Sequence, residues 1–256
     1  MAKLSIKEIK AVLSEITDQA DARLGELRQD ERKGVQTAIK SWERQFAKKE
    51  ARRQQFVAMQ SFERDCFEKG FQYIAGVDEV GRGPLAGPVV ACAVILPKDI
   101  EDLGFDDSKK LSAAKRQEVF ALIQEKALAI GVGVMDNHVI DDVNIYQATK
   151  LAMIKAIEEL KVQPDYLLLD AMQLDLDLPQ EAIIKGDAKS ISIAAASIVA
   201  KEIRDQMMAD YDREFPGYDF SSNAGYGTKN HLSGLDSQGP CPIHRKSFAP
   251  VAKFFQ

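Results

Sequence analysis

Residues 73 to 97 read YIAGVDEVGRGPLAGPVVACAVILP. An apolar run stops at two adjacent carboxylates, passes through Gly-Arg-Gly, and resumes as a second apolar run. β-branched residues bounded by glycine and proline mark strands at 71 to 78 and 88 to 96. Asp78 and Glu79 therefore stand where a core strand ends. A buried strand tolerates a charge only at its mouth, and a carboxylate there needs a compensating cation.

Downstream, strand signals recur at 131 to 136 (GVGVMD), 166 to 170 (YLLLD) and 182 to 185 (AIIK). Helices are expected at 112 to 128 with Ser112 as N-cap, at about 145 to 160, and at 190 to 213. Two neighbouring strands followed by strand and helix alternation imply an α/β fold, a mixed β-sheet flanked by helices. Residues 1 to 70 have a different texture, with no proline and only Gly25, Gly34 and Gly70. Their apolar residues recur at helical spacing, Ile9, Val12, Leu13 and Ile16 in one stripe and Val35, Ile39, Trp42 and Phe46 in another. The expected organisation is a helical N-terminal extension over 1 to 70, of two or three helices with Gly25 to Gly34 as its turn region, and an α/β domain over 71 to 256.

With 256 residues, 45% hydrophobic and 29% charged, the chain has the composition of a soluble globular protein. The first ten residues carry charges throughout and lack the apolar core of a signal peptide, so a cytoplasmic location and no membrane association are expected. Three cysteines, Cys66, Cys92 and Cys241, are distant and odd in number, which fits a reducing compartment. Cys241-Pro-Ile-His244 is the only metal-like spacing, and two ligands do not make a zinc site. The net charge of −5 gives no global signal for nucleic acid, but residues 1 to 70 balance at +3 and the remainder at −8. Beyond Asp236 no acid remains, while Arg245, Lys246 and Lys253 do. Local positive surface can still meet a polyanion.

Four acids, Asp78, Glu79, Asp170 and Asp187, sit at the ends of strands or loops. If the strands ending at 78 and 170 lie side by side, their carboxylates converge, and hard divalent cations with oxygen ligands, Mg²⁺ or Mn²⁺, best relieve the repulsion. Successive strand residues point to opposite faces, so Asp78 and Glu79 serve one site only if the backbone bends, with Gly81 as the relief point. The loop GRGPLAG matches neither G-x-G-x-x-G nor the P-loop pattern, so a dinucleotide fold is disfavoured. Gly81 and Gly83 instead permit close backbone approach to a ligand, and Arg82 suits phosphate. Lys109, in DDSKKLS, and Lys189, in GDAKS, precede helices where an anion can bind. In AGYGTKNHL, Tyr226 is set between glycines and offers an aromatic face to a sugar or base.

These motifs resemble those of ribonuclease HII, the type 2 ribonuclease H family. The likeness covers roughly residues 71 to 253 and is carried by GVDEVGRGPLAGPVV, DSKKLS, ATKLAM, LLLDA, KGDAKSISIAAASIVAKEIRD, GYGTKNHL and PIHRKSFAPV, in family order. The resemblance implies an RNase H-like mixed sheet and an endonuclease that cuts the RNA strand of RNA/DNA hybrids, including single ribonucleotides embedded in duplex DNA. It also implies an acidic quartet of Asp78, Glu79, Asp170 and Asp187, and a Gly81-Arg82-Gly83 loop at the ribonucleotide's 2′-hydroxyl. Tyr226 falls on the family's junction-sensing tyrosine, and Lys109 and Lys189 are read as substrate-binding. The sister family, ribonuclease HIII, has a β-containing N-terminal domain, against which the helical pattern of residues 1 to 70 argues.

The mechanism expected is two-metal hydrolysis giving 5′-phosphate and 3′-hydroxyl ends. Asp78 bridges two Mg²⁺ or Mn²⁺ ions, and Asp170 is a firmer ligand than Asp187. Metals supply the charge stabilisation, so no histidine base is required and His138, His231 and His244 are read as structural. A monomer is expected. The rival readings are a non-catalytic hybrid-binding module and a metal-dependent 3′–5′ exonuclease, which usually shows D-x-E in place of adjacent acids.

Overall fold

The computed structural model describes residues 4 to 256, in two compact units, one ending at Val57 and the other beginning at Ala58. In the first, α1 (Ile6–Glu15) starts with a capping box, Glu8 N donating to Ser5 Oγ at 3.3 Å and Ser5 N donating to Glu8 Oε2 at 2.7 Å. Next come α2 (Ala22–Arg28) and α3 (Lys33–Met59). Both expected apolar stripes meet in one core: Ile9, Leu13 and Ile16 pack with Leu24, Val35, Ile39 and Trp42. Gly25 does not mark a turn, because it lies inside α2. The break falls at residues 29 to 32, where Arg32 and its side-chain partner Asp30 are fixed by N–H and guanidinium bonds.

The second unit opens with α4 (Ser61–Glu68) and continues as β1 (Ile74–Val80), β2 (Val89–Ile95), α5 (Ala113–Lys126), β3 (Ala129–Met135) and α6 (Asn137–Glu158). Then follow β4 (Tyr166–Asp170), β5 (Gln180–Ile183) and α7 (Ile191–Glu214), and the short closing helices α8 (Phe220–Asn223), α9 (Lys229–Gln238) and α10 (Ala249–Ala252). The sheet order is β3-β2-β1-β4-β5, with β1 antiparallel to β2 and parallel to β4. This is the mixed sheet that the strand and helix order implies. One helix extends past its expected limits, and another forms where a loop was expected. Helix α6 begins at Asn137 behind an Asp136 cap, breaks at Asn144 (φ 70°), and restarts where Asn144 Oδ1 accepts from Tyr146 N and Gln147 N. Helix α9 grows out of AGYGTKNHL because Thr228 accepts a hydrogen bond from His231 N.

Strand alternation divides the core. Ala75, Val77, Leu167 and Leu169 pack with Ala148, Ala152 and Ala156 of α6. Ile74 and Leu168 face Ile193 of α7. Both helices sit almost on the backbone of the sheet: a Cβ at Gly76 would fall 2.0 Å from the Ser192 carbonyl carbon. One on Gly133 would fall 1.9 Å from Ala152 O. Glycine on the strand and alanine or serine on the helix thus bring α7 close to the strand that ends in acids.

Candidate active site

The last paired residues of the parallel strands β1 and β4 are Val77 and Leu169, so Asp78 and Asp170 occupy the next, adjacent positions. Alternation puts both on the α7 face, where Asp78 is buried and hydrogen-bonds the Ser197 side chain. Ser197 Oγ in turn lies 3.0 Å from Ser108 Oγ. Asp170 Oδ1 accepts from Gly186 N at 2.7 Å, tying β4 to the 3₁₀ turn Gly186–Ala188 that carries Asp187. Three of the four acids thus come to one end of the sheet through two strand termini and one turn.

Glu79 reaches the same end from the next position. The β1–β2 ladder stays in register through both acids (Asp78 with Cys92, Glu79 with Ala91) and on to Val80. The backbone therefore does not bend between the two carboxylates, and the departure comes only at Gly81 (φ 94°). Glu79 N donates to Asp78 Oδ1 at 2.8 Å, and Arg82 Nη1 approaches Glu79 Oε1 at 3.4 Å. Glu79 Oε2 is buried with no hydrogen-bond partner among the described residues.

Electrostatics mark the cluster as short of positive charge. Burial, then the neighbouring Glu79, pushes Asp78 well above the ordinary carboxylate range. Burial also raises Glu79, against the Arg82 guanidinium and with the help of Asp170. Asp187 is raised by burial and by Asp107 and Asp170, with Lys109 opposing. Three carboxyls driven toward protonation and one orphaned buried oxygen make a set of hard oxygen donors that a divalent cation fits. Among the described residues no three of these side chains are already arranged as a metal cluster. Asp78 Oδ1 and Asp170 Oδ1 each accept one backbone N–H, from Glu79 and Gly186, and a carboxylate keeps further lone pairs beyond such a bond for a cation.

The Gly81-Arg82-Gly83 loop and Tyr226 also come together. A Cβ at Gly83 would stand 3.3 Å from Tyr226 Cε1, and Leu85 N donates to Gly225 O at 2.8 Å. Arg82 and Tyr226 are both exposed, Tyr226 at 48%. Lys109 stands close enough to Asp187 to influence it, whereas Lys189 is exposed and is held through its backbone N–H to Gly186 O. Ser197, Ser108 and Asp107 join the acids without having been legible as site residues. Ser197 lies in a run of small residues that reads as helix packing. Cys241 and His244 form no metal site, because His244 uses Nδ1 toward Cys241 Sγ (3.1 Å) and Nε2 toward His231 (2.9 Å), and no single ion can take both nitrogens.

A mixed five-stranded sheet with acids at the ends of adjacent parallel strands is the ribonuclease H-like fold. The solved structures agree: ribonuclease H2 from Pyrococcus horikoshii OT3 superposes with a TM-score of 0.60 at 26% identity, over 72% of this chain and 97% of that one. RNase HII of Archaeoglobus fulgidus, solved as a complex with PCNA, superposes with a TM-score of 0.59 at 26% identity, over 69% and 95%. Bst-RNase HIII in complex with Mn²⁺ shares the fold at 20% identity and a TM-score of 0.54, over 72% of this chain and 69% of that one. In sequence, the ribonuclease HII of Enterococcus faecalis is 60% identical over 98% of both chains. That of Bacillus subtilis is 54% identical over 99% of this chain and all of its own. The family model for ribonuclease HII matches residues 75 to 251, and that for the ribonuclease HII N-terminal domain matches residues 5 to 67. The chain belongs to the ribonuclease HII family and is a ribonuclease H hydrolase.

Proposed function

We propose that this enzyme is an endonuclease that hydrolyses the RNA strand of RNA/DNA hybrids and nicks duplex DNA at a single embedded ribonucleotide, leaving 5′-phosphate and 3′-hydroxyl ends. The observation that carries the reading is the buried Glu79 Oε2, partnerless among the described residues, beside Asp78 and Asp170, because carboxylates aimed at a polyanion make sense only with cations between them. Asp78, Glu79, Asp170 and Asp187 would hold two divalent ions, Mn²⁺ or Mg²⁺, with Asp78 shared. When bound, such ions supply an activated water and neutralise charge on the leaving 3′ oxygen.

The remaining residues bind and orient. The Gly81-Arg82-Gly83 backbone lies against the ribose, where a 2′-hydroxyl distinguishes RNA from DNA. Arg82, Lys109 and Lys189 meet phosphates, and the Tyr226 ring packs on the sugar at the RNA–DNA junction. No helix among the described residues is long and apolar enough to cross a membrane. Three free cysteines support the reading of a cytoplasmic enzyme, and we take it to act as a monomer.

A labelled duplex with one internal ribonucleotide, incubated with Mg²⁺, Mn²⁺ or EDTA, tests the reading. One internal nick that EDTA abolishes is expected. A ladder from the 3′ end would point to an exonuclease, and an intact strand in all three conditions to a hybrid-binding module.

A further inference from the structure

Arg204 and Arg245 are completely buried. Every hydrogen bond that their guanidinium groups make goes to a backbone carbonyl, and no carboxylate among the described residues forms an ion pair with either. Arg204 donates through Nε to Pro88 O (2.9 Å), through Nη1 to Ala224 O (2.9 Å) and through Nη2 to Ala86 O (3.3 Å). Arg245 donates through Nε to Gly87 O (3.0 Å), through Nη1 to Arg82 O (2.9 Å), and through Nη2 to Gly81 O (2.5 Å) and Gly87 O (2.8 Å). Five of these six carbonyls belong to residues 81 to 88, and the sixth lies two residues before Tyr226. Burial lowers both guanidinium groups, to about 10 for Arg204 and about 9 for Arg245, which leaves both charged at neutral pH.

An unpaired buried cation is costly unless hydrogen bonds replace its water. Here the replacement comes from a loop that needs its carbonyls fixed. A trans peptide is planar, with C=O and N–H on opposite sides. Turning Gly81 O inward to Arg245 therefore turns Arg82 N–H outward, and turning Arg82 O inward turns Gly83 N–H outward. Neither N–H donates to an acceptor among the described residues. Gly81 permits the arrangement, since a Cβ there would lie 2.2 Å from Arg204 Nε. Two successive outward amides, backed by two positive charges that no carboxylate among the described residues pairs directly and flanked by Glu79 and Tyr226, form a receptor for an electron-rich oxygen.

We propose that Arg204 and Arg245 are positioning residues that hold the Arg82 and Gly83 amides toward the substrate's sugar–phosphate backbone and so set discrimination for the embedded ribonucleotide. This rests on the functional reading above. Lysine keeps the charge but cannot span three carbonyls with one planar fork.

The test compares wild type with Arg245→Lys and Arg204→Lys on two substrates, the duplex with one internal ribonucleotide and a long RNA/DNA hybrid, with folding followed by thermal melting. In each variant, KM for the single-ribonucleotide duplex is expected to rise at least tenfold more than KM for the hybrid. A loss of kcat that is equal on both substrates and tracks the folded fraction, with KM unchanged, would show a merely structural role and overturn the proposal. Amide hydrogen exchange of the wild type in EDTA decides the matter even if a variant fails to fold. The Arg82 and Gly83 amides should exchange freely in the free enzyme and be protected by the ribonucleotide duplex, and absence of protection sinks the idea. Wild type that leaves the single-ribonucleotide duplex uncut with Mn²⁺ or Mg²⁺ would instead reject the functional reading itself.

Discussion

His231 Nε2 and His244 Nε2 lie 2.9 Å apart in the core behind Tyr226, and only one of them can carry the shared proton. His231 Nδ1 faces Tyr226 O at 2.9 Å, a pure acceptor, so His231 is protonated on Nδ1 and accepts on Nε2. His244 must then donate from Nε2 and accept on Nδ1, where Cys241 N donates at 2.9 Å. Both tautomers are fixed, and a second proton on either ring would break the chain. Burial lowers His231, and burial together with His231 lowers His244 to about 4.

A histidine depressed in the folded state resists protonation there, so its contribution to stability is complete above the unfolded value near 6.5 and is lost as pH falls from there to about 4. Urea midpoints measured across that window should drop for the wild type. His244→Gln should be less stable at pH 7 and show a flatter decline. Parallel curves for the two proteins would refute the assignment.

Two glycines should respond in opposite directions to alanine. Gly133→Ala drives a Cβ into Ala152 O of α6 and is expected to cost about 3 kcal/mol or more, with a lowered urea midpoint. Gly25→Ala, inside α2 with nothing within 4 Å of the new carbon, should stabilise its helix by roughly 0.5–1 kcal/mol. A destabilising Gly25→Ala would contradict the placement of that residue in a helix.

The strands were legible because β-branched runs end at Gly, Pro or acid, and the convergence of Asp78 and Asp170 followed from setting their strands side by side. The turn at Gly25 was misread because glycine is tolerated on an open helical surface. The start of α6 was hidden because Asn144 breaks the helix, and only an Asx cap seen in space restarts it. The bend expected at Asp78 and Glu79 was inferred from strict alternation, which underestimates how far a glutamate at a strand mouth can reach. Arg245 does not belong to the positive surface expected after Asp236, and neither it nor Arg204 is exposed, since a charged residue in a helix or a tail reads as surface until the carbonyls it serves are in place.

Glu63 offers a second pH test away from the acids. Its Oε1 accepts from Ser190 Oγ (2.5 Å) and Ser192 N (3.0 Å), while Oε2 is buried without a partner among the described residues. Burial raises this carboxyl above 4.5, so the folded state holds its proton more tightly, and its stability contribution is lost as pH rises through the folded value. Glu63→Gln should therefore be more stable than wild type near pH 7, by on the order of 1 kcal/mol, with the gap closing toward pH 4. A gap that does not depend on pH would show that Glu63 is not the group responsible.

Tyr226→Ala removes a half-exposed ring that lies against Gly83. Cleavage at a single embedded ribonucleotide should fall about tenfold or more, while affinity for the duplex changes by less than that. Steady-state cleavage and equilibrium binding on the same duplex separate the two effects. Unchanged turnover would remove Tyr226 from the site.

Asp78→Asn joins the activity and stability consequences of one residue. The substitution keeps the shape of the side chain and removes the charge that burial and Glu79 oppose. Turnover on a long hybrid should fall by about a thousandfold or more, because the proposed reading makes Asp78 the ligand shared by the two ions, while hybrid binding is retained. The folded protein should at the same time gain about 1 kcal/mol in urea at pH 7, since a neutral amide relieves the repulsion among the buried carboxylates. The paired outcome, inactive yet more stable, distinguishes a functional acid from one that holds the fold together. An inactive and destabilised Asp78→Asn would assign the residue to structure, and an active one would reject its role as the shared metal ligand.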